Sequence, residues 1–381
     1  MLISPFSVLM AILWFSLISA GFCLLLRNTR FVVRVDMRIL ILFSVLAIVR
    51  LVLPVEFPNT PVLPSVHLMT SLLNTARTTV VSLFSFEFTI IDLILILWGA
   101  GSLISLCGLF HRHRVLRRQF RTLLRIDITA LGIDDELLQD QLRSATCLIL
   151  PGLTTPAVYG FIRPVILIPE DRSNPITAPV LLHEMFHFRQ GDMWIKLILD
   201  LIVCLFWWNP LAYLLRSNAQ HALELKCDAD VRACMDESQQ IQYYQSLLEY
   251  YKQSLGKQHY RLALHVIGVA GARKDWRIKQ RFDVGLLPKN ANRIKRLRLN
   301  ILCGFLLLFL LVASYSFIIQ PAGPPPESGI TAIDIESSYL LEKQDGTYDF
   351  YSNGEFVANI HEESIHSEPF SQMIIIKEGS H

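Results

Sequence analysis

The sequence predicts an α-helical polytopic membrane protein of about four transmembrane helices carrying a cytoplasmic α+β domain. Three observations predict it. Of the 381 residues, 52% are hydrophobic and 18% charged, a balance too apolar for a soluble chain of this size. Several apolar runs are long enough to cross a bilayer as helices, and arginine-rich segments flank them. The long stretch 111–298 has ordinary polarity and holds a histidine pair spaced for one helical face.

The first run, residues 3–26, carries no charge and spans the hydrocarbon core. Met1–Pro5 lacks the basic start of a signal peptide, so the run is read as a retained span. Arg27, Arg30, Arg34 and Arg38 follow, and residues 39–55 form a second span whose Arg50, near the far end, is expected to snorkel to the interface. Residues 56–87 read as a loop rich in Pro, Ser and Thr. Residues 90–110 form a third span in spite of Asp92, and His111, Arg112, His113, Arg114, Arg117, Arg118, Arg121 and Arg125 follow it.

A fourth span, about 299–319, is preceded by Lys289, Arg293, Lys295, Arg296 and Arg298. Positively charged flanks stay on the cytoplasmic side, which places the N-terminus outside, 27–38 inside, 56–87 outside, 111–298 inside and the C-terminal tail outside. The basic clusters beside the spans read as anchors for anionic lipid of the bilayer. A net charge of +2 gives no signal for direct nucleic-acid binding. The expected domains are 1–110 (three spans), 111–298 (the inside domain), 299–319 (the fourth span) and 320–381 (a small tail).

Inside, the expected order is a helix over 113–126, a helix over 133–145, and short strands at 146–150 and 165–168 with Gly160 between them. Four helices follow: one with the histidine pair, one apolar helix, one with Glu224, and one over 238–255. Residues 194–215 are nearly apolar enough for a fifth crossing. Lys196, Asp200 and the Asn209-Pro210 break favour a buried or half-immersed helix instead.

The chemistry centres on His183-Glu184-Met185-Phe186-His187. Prolines 175 and 179 sit at the start of this helix, where proline is tolerated. Residues four apart share a face, so two imidazoles so spaced can grip one Zn2+ ion while Glu184 faces the water that hydrolysis requires. Zinc in a hydrolytic site takes three protein ligands and leaves one position open. Glu224, on a downstream helix, is the expected third ligand, and Asp228 is expected to hold a ligand histidine by its other ring nitrogen. Cys227 is the alternative ligand. It lies about 100° round the helix from Asp228 and roughly 300° from Glu224, so all three are not expected to serve one ion equally. Tyr159 or His221 is a candidate oxyanion stabiliser. The 157–168 segment is the candidate sheet edge on which a peptide adds as a strand.

The runs HEMFHFRQGD at 183–192, Trp207-Trp208-Asn209-Pro210, and Glu224-Leu225-Lys226-Cys227-Asp228 together resemble the membrane metallopeptidase domain of the BlaR/MecR family of bacterial antibiotic-response signal transducers. The run TTPAVYGFIRPVILIPE at 154–170 is similar to the strand segment before the zinc helix of that family. The resemblance covers about residues 110–300. It implies a zincin, gluzincin-like fold, a bacterial plasma-membrane location, and cleavage of the protein itself, of a cytoplasmic DNA-binding repressor, or of both. Two departures stand out. Gln220, His221 and Leu223 occupy positions where relatives commonly carry arginines, and Arg189-Gln190-Gly191-Asp192 replaces Arg-Gly-Asp. Neither is expected to touch a metal ligand.

The run RKDWRIKQRF, 273–282 and its surroundings, reads as exposed, and 268–298 is a candidate segment for self-cleavage. Seven cysteines are spread singly and imply no disulfide framework. After the stiff spacer at 321–326, turn signals at Asp345-Gly346 and Asn353-Gly354 predict two or three antiparallel strands. The BlaR/MecR sensors that bind beta-lactams carry a larger penicillin-binding domain there. The tail has no Ser-x-x-Lys motif, so covalent beta-lactam sensing is not carried over. A second class of function, a non-catalytic zinc-stabilised membrane signalling scaffold, would have no need of the base Glu184. The sequence leaves the stimulus, the cleaved bond and a homodimer open.

Overall fold

In the computed structural model of the chain, three helices among the described residues are long and apolar enough to cross a bilayer, Phe6–Arg27, Ile90–Phe120 and Ile294–Tyr315. The structure describes residues 5–55, 57, 60–65, 75, 79–83, 86–127, 145–153, 155–170, 178–256, 275–286, 293–321, 338–343, 348–352, 354–360, 365, 370 and 373–377. They fall into two units, Met1–Leu63 with Asn74–Ile319, and Pro64–Leu73 with Gln320–His381. The helix expected at 133–145 lies, but for Ala145, outside the described residues.

In the first unit, α1 (Pro5–Arg27) is followed by α2 (Thr29–Val32) and α3 (Met37–Val52). Asp36 caps α3 by accepting the Arg38 amide at 3.0 Å. The helix has 16 residues, about 24 Å at 1.5 Å per residue, and so falls short of the usual crossing length. The second expected span is therefore a shorter helix, and among the described residues three helices reach the length and apolarity of a span. Arg50 does not snorkel. It is 3% exposed, its Nε donates to the Ser314 carbonyl at 3.1 Å, and its guanidinium lies 4.5 Å from the Tyr315 ring centroid. The unpaired carbonyls at the end of a neighbouring helix offer it more than the interface does.

Short β1 (Val62–Ser65) precedes an antiparallel hairpin of β2 (Thr79–Leu83) and β3 (Phe86–Thr89), within what reads from sequence as a loop. Helix α4 (Ile90–Phe120) then runs unbroken through the arginine-rich flank expected to begin a new helix. Asp92 is explained by its cap. It accepts the Thr89 amide at 3.0 Å, and Thr89 in turn accepts the Asp92 amide.

Strands β4 (Arg125–Ile126), β5 (Thr146–Leu150), β6 (Ala157–Tyr159) and β7 (Val165–Pro169) form a mixed sheet in the order β4-β5-β7-β6. Only β6 of the expected edge segment lies at an edge, because β7 is paired on both sides, parallel to β5 and antiparallel to β6. Helices α5 (Ala178–Arg189), α6 (Asp192–Leu205), α7 (Pro210–Ala233), α8 (Glu237–Gly256), α9 (Asp275–Leu286) and α10 (Arg293–Tyr315) follow. The apolar run after the histidine pair thus breaks into a 14-residue helix and a new one. Asn209 caps α7 by accepting the Leu211 amide, with Pro210 first in the helix.

The largest core joins Phe15, Phe22 and Leu26 of α1 to Leu40 and Phe43 of α3, Leu199 of α6, and Leu215, Ala222 and Leu225 of α7. Outward-facing Leu95, Leu97, Ile104, Phe305 and Phe309 leave broad apolar faces on α4 and α10. Such faces are stable against lipid. The chain is a membrane protein.

After β8 (Ile318–Pro321), the second unit holds a four-stranded sheet, β11 (Glu355–Ile360), β10 (Tyr348–Ser352), β9 (Ser338–Glu342) and β12 (Ile374–Lys377), in that order. The first three are an antiparallel meander, as the turn signals require. β12 adds parallel to β9, a pairing that no turn signal announces.

Gly160, between β6 and β7, has φ +122°, and a Cβ there would overlap the Arg163 carbonyl oxygen. Gly160→Ala is expected to lower stability by about 1–3 kcal/mol. Thermal unfolding in detergent checks this; an unchanged midpoint would refute it.

Candidate functional site

Helix α5 turns its apolar side, Leu181 and Met185, onto Ile166 and Ile168 of β7. His183 and His187 consequently face the other way, toward α7, and are 4% and 2% exposed. Gly191, with φ +74°, makes the left-handed turn that starts α6 and returns Asp192 to the histidine helix. Helix α7 is pinned to the membrane core through Leu215, Ala222 and Leu225. Its other side presents Glu224, Cys227 and Asp228 to α5.

The two imidazoles meet Nε2 to Nε2 at 3.1 Å. Glu224 faces both, its Oε2 at 3.5 Å from His183 Nε2 and its Oε1 at 3.3 Å from His187 Nε2. Each Nδ1 is held by an acidic partner. His187 Nδ1 lies 2.6 Å from Asp192 Oδ2. His183 Nδ1 lies 3.0 Å from the Tyr243 hydroxyl, which donates to Asp228 Oδ1 at 2.5 Å. Arg281 closes the ring of contacts with two bonds of 2.7 Å to the Asp228 carboxylate and one ion pair of 3.2 Å to Glu224.

This arrangement fits a metal ion. With both Nδ1 atoms donating, both Nε2 lone pairs point at one small space, which is repulsive unless positive charge sits between them. Three carboxylates border the pair, Asp192 on His187 and Glu224 and Asp228 on the single guanidinium of Arg281, leaving an excess of two negative charges while the imidazoles are neutral. Burial works to lower the His183 pKa, yet the nearby Cys227 sulfur and Glu224 carboxylate push it up to about 10. His187 is raised in the same way. Against a burial effect that raises it, Glu224 is held well below the carboxylate range, first by His187. A tetrahedral zinc site with bonds of about 2.0–2.1 Å separates its ligand atoms by roughly 3.3–3.4 Å, and the three separations here straddle that value.

Glu184 is half-buried and accepts the Val158 amide at 3.0 Å, so it is tied to the outer edge of β6. Cys227 is fully buried, and its ligand atom lies within 4.8 Å of those of both histidines. The angle expected to set Cys227 apart from Glu224 is smaller than it reads. Three residues on a helix bring 300°, which is 60° the other way, so Glu224 and Cys227 share a face.

Neither oxyanion candidate is free for that role. The Tyr159 hydroxyl pairs with His113 Nδ1 at 3.0 Å among Phe120 and Phe161, and His221 Nε2 with Gln280 at 2.7 Å. The tyrosine at the histidines is Tyr243.

Three residues at the site escape the sequence reading. Asp192 follows His187 by five residues across a glycine, a visible signal, and it does touch a histidine, contrary to the expectation for that stretch. Tyr243 and Arg281 have no local signal. The segment read as exposed is, over 275–286, a helix packed on α7, with Gln280 1% exposed and Arg281 turned to the carboxylates. Residues 257–274 and 287–292, which complete the candidate cleavage segment, lie outside the described residues.

The model of the BlaR1 peptidase M56 family matches residues 6–283. Regulatory protein BlaR1 of Bacillus licheniformis is 33% identical over 103 residues, 26% of this chain and 17% of that protein. The methicillin resistance mecR1 protein of Staphylococcus aureus is 24% identical over 228 residues, 57% of this chain and 38% of that protein. The matches therefore span well under half the length of these curated relatives.

Arg281 is the counter-charge of two carboxylates. Arg281→Met is expected to cost about 3 kcal/mol, the lower end for a broken buried pair because Glu224 is partly exposed. Denaturant unfolding in detergent measures it; a change below about 1 kcal/mol, the range of a surface pair, would contradict this role.

Proposed function

We propose that this chain, which belongs to the BlaR1 peptidase M56 family, is a membrane-embedded zinc metalloendopeptidase that transduces an external signal by cleaving itself, a cytoplasmic DNA-binding repressor, or both. The observation that carries the chemistry is the convergence of His183 Nε2, His187 Nε2 and the Glu224 carboxylate within 3.5 Å of one another. These three residues would hold the ion, which when bound polarises a scissile carbonyl and lowers the pKa of water.

The remaining roles belong to the chain. Glu184 takes a proton from the attacking water and returns it to the leaving amine. Its bond to the Val158 amide sets the carboxylate beside the sheet edge. Val158 lies between Ala157 and Tyr159, whose partners on β7 are Leu167 and Val165. A substrate peptide added as a strand along the outer side of β6 would run past Glu184. Asp192, Asp228 and Tyr243 fix the imidazoles with Nε2 inward, and Arg281 steadies Glu224.

For sidedness, α3 is taken to cross in spite of its length. Leu42, Val45, Val49 and Val52 give it an exposed apolar face, and local thinning accommodates a short helix. Then the basic segments 27–38 and 111–125 lie on the cytoplasmic side together with the 111–298 peptidase domain, and the tail lies outside.

The test is zinc content and fragment formation by the protein in membranes, with and without a co-expressed repressor. Glu184→Ala is expected to keep its zinc and to lower cleavage by about 10²–10⁴-fold. His187→Ala is expected to lose the zinc. Zinc without any fragment from the native chain would replace this reading with a non-catalytic scaffold, and absence of zinc would end it.

A further inference from the structure

We propose that Cys227 is a fourth ligand of this metal site, so that at rest His183, His187, Glu224 and Cys227 close it. The inference rests on the zinc reading above. Its own support is geometric. The ligand atoms of His183, His187 and Cys227 all lie within 4.8 Å of one another, and all three residues are buried. The thiol sits one helical turn beyond Glu224 on the face of α7 that addresses the pair. Its Sγ donates to the backbone carbonyl of His183 at 3.3 Å, a weak bond that coordination can replace. Glu224, by contrast, is the half-buried member of the set, on the open side of the cluster. The sulfur therefore approaches the histidines from within the protein and the carboxylate from its rim.

Coordination is balanced by one proton. The bond from sulfur to metal forms as the thiol proton leaves for solvent, and the thiolate takes a proton back on release. Four protein ligands fill a tetrahedral zinc site, whereas hydrolysis needs one position free. Cys227 bound thus describes a latent site, and Cys227 released an active one. The same residue that makes the pair a tight cation trap would then keep the peptidase silent until the α5–α7 contact shifts.

Cobalt(II) loaded into the full chain in detergent micelles reads this directly, since a thiolate ligand gives a near-ultraviolet charge-transfer band that nitrogen and oxygen ligands do not. The native chain is expected to show the band. Cys227→Ser, and Cys227→Ala as a second replacement, should bind one cobalt per chain without it. Glu184→Ala should keep it. In membranes, Cys227→Ser should cleave faster than the native chain. A native chain that binds cobalt without the band would overturn the proposal and leave the peptidase reading standing; failure to bind cobalt at all would overturn both. A band that survives in both replacements, or cleavage no faster than native, would also count against it.

Discussion

Everything at the centre of this protein depends on which nitrogen of each histidine is engaged. A neutral imidazole has one donor and one lone pair, and a carboxylate on Nδ1 decides that Nε2 is the lone pair. Asp192 does this for His187 at 2.6 Å, and Asp228 with Tyr243 does it for His183. Four helices are needed to supply these groups: α5 the histidines, α6 Asp192, α7 Glu224 and Asp228, and α8 Tyr243. The fold between residues 178 and 256 can be understood as the means of bringing them to one point.

Helix α9 ties that point to the membrane. Gln280 donates to the Leu26 carbonyl at the end of α1 at 2.8 Å and pairs with His221 of α7. Its neighbour Arg281 holds Glu224 and Asp228. Two adjacent residues thus link the C-terminal end of the first membrane helix to the carboxylates of the site. Lipid tails are as apolar as leucine side chains, so helix association within a bilayer gains little from the hydrophobic effect and relies on packing and polar contacts. Gln280 and Arg50 are contacts of that kind, each donating to a backbone carbonyl at a neighbouring helix end.

The sequence discloses what is local. HExxH spacing, the Asn209-Pro210 helix start and the turn at Asn353-Gly354 each state a geometry within a few residues. Glu224 and Asp228 are legible because their own spacing repeats the period of the histidines. What is not legible is pairing at a distance. Arg281 lies in a stretch whose composition reads as solvated, and only the fold shows that its charge is spent on two carboxylates about fifty residues away in sequence. Arg50 reads as an interfacial arginine for the same reason, since its partners are on α10. The length of α3 misleads because apolar Leu53 and Val55 continue the pattern after the helix has ended. Composition follows hydrophobicity, whereas a helix ends where its backbone finds no further partner.

The same distinction bears on Cys227. Read as an angle on a helical wheel it lies away from Glu224, yet both occupy the surface that α7 turns to α5, because positions i and i+3 are neighbours on a helix. A thiol placed there only for packing would contribute no more than a small apolar residue of the same volume. Beside two inward-facing Nε2 atoms it is also a soft donor in a site with an excess of negative charge. It is buried, with its sulfur within 4.8 Å of the ligand atoms of both imidazoles, whereas Glu184 is bound to the edge strand. The two groups lie on different sides of the histidine pair's surroundings, Cys227 buried on α7 and Glu184 half-buried on the amide of β6.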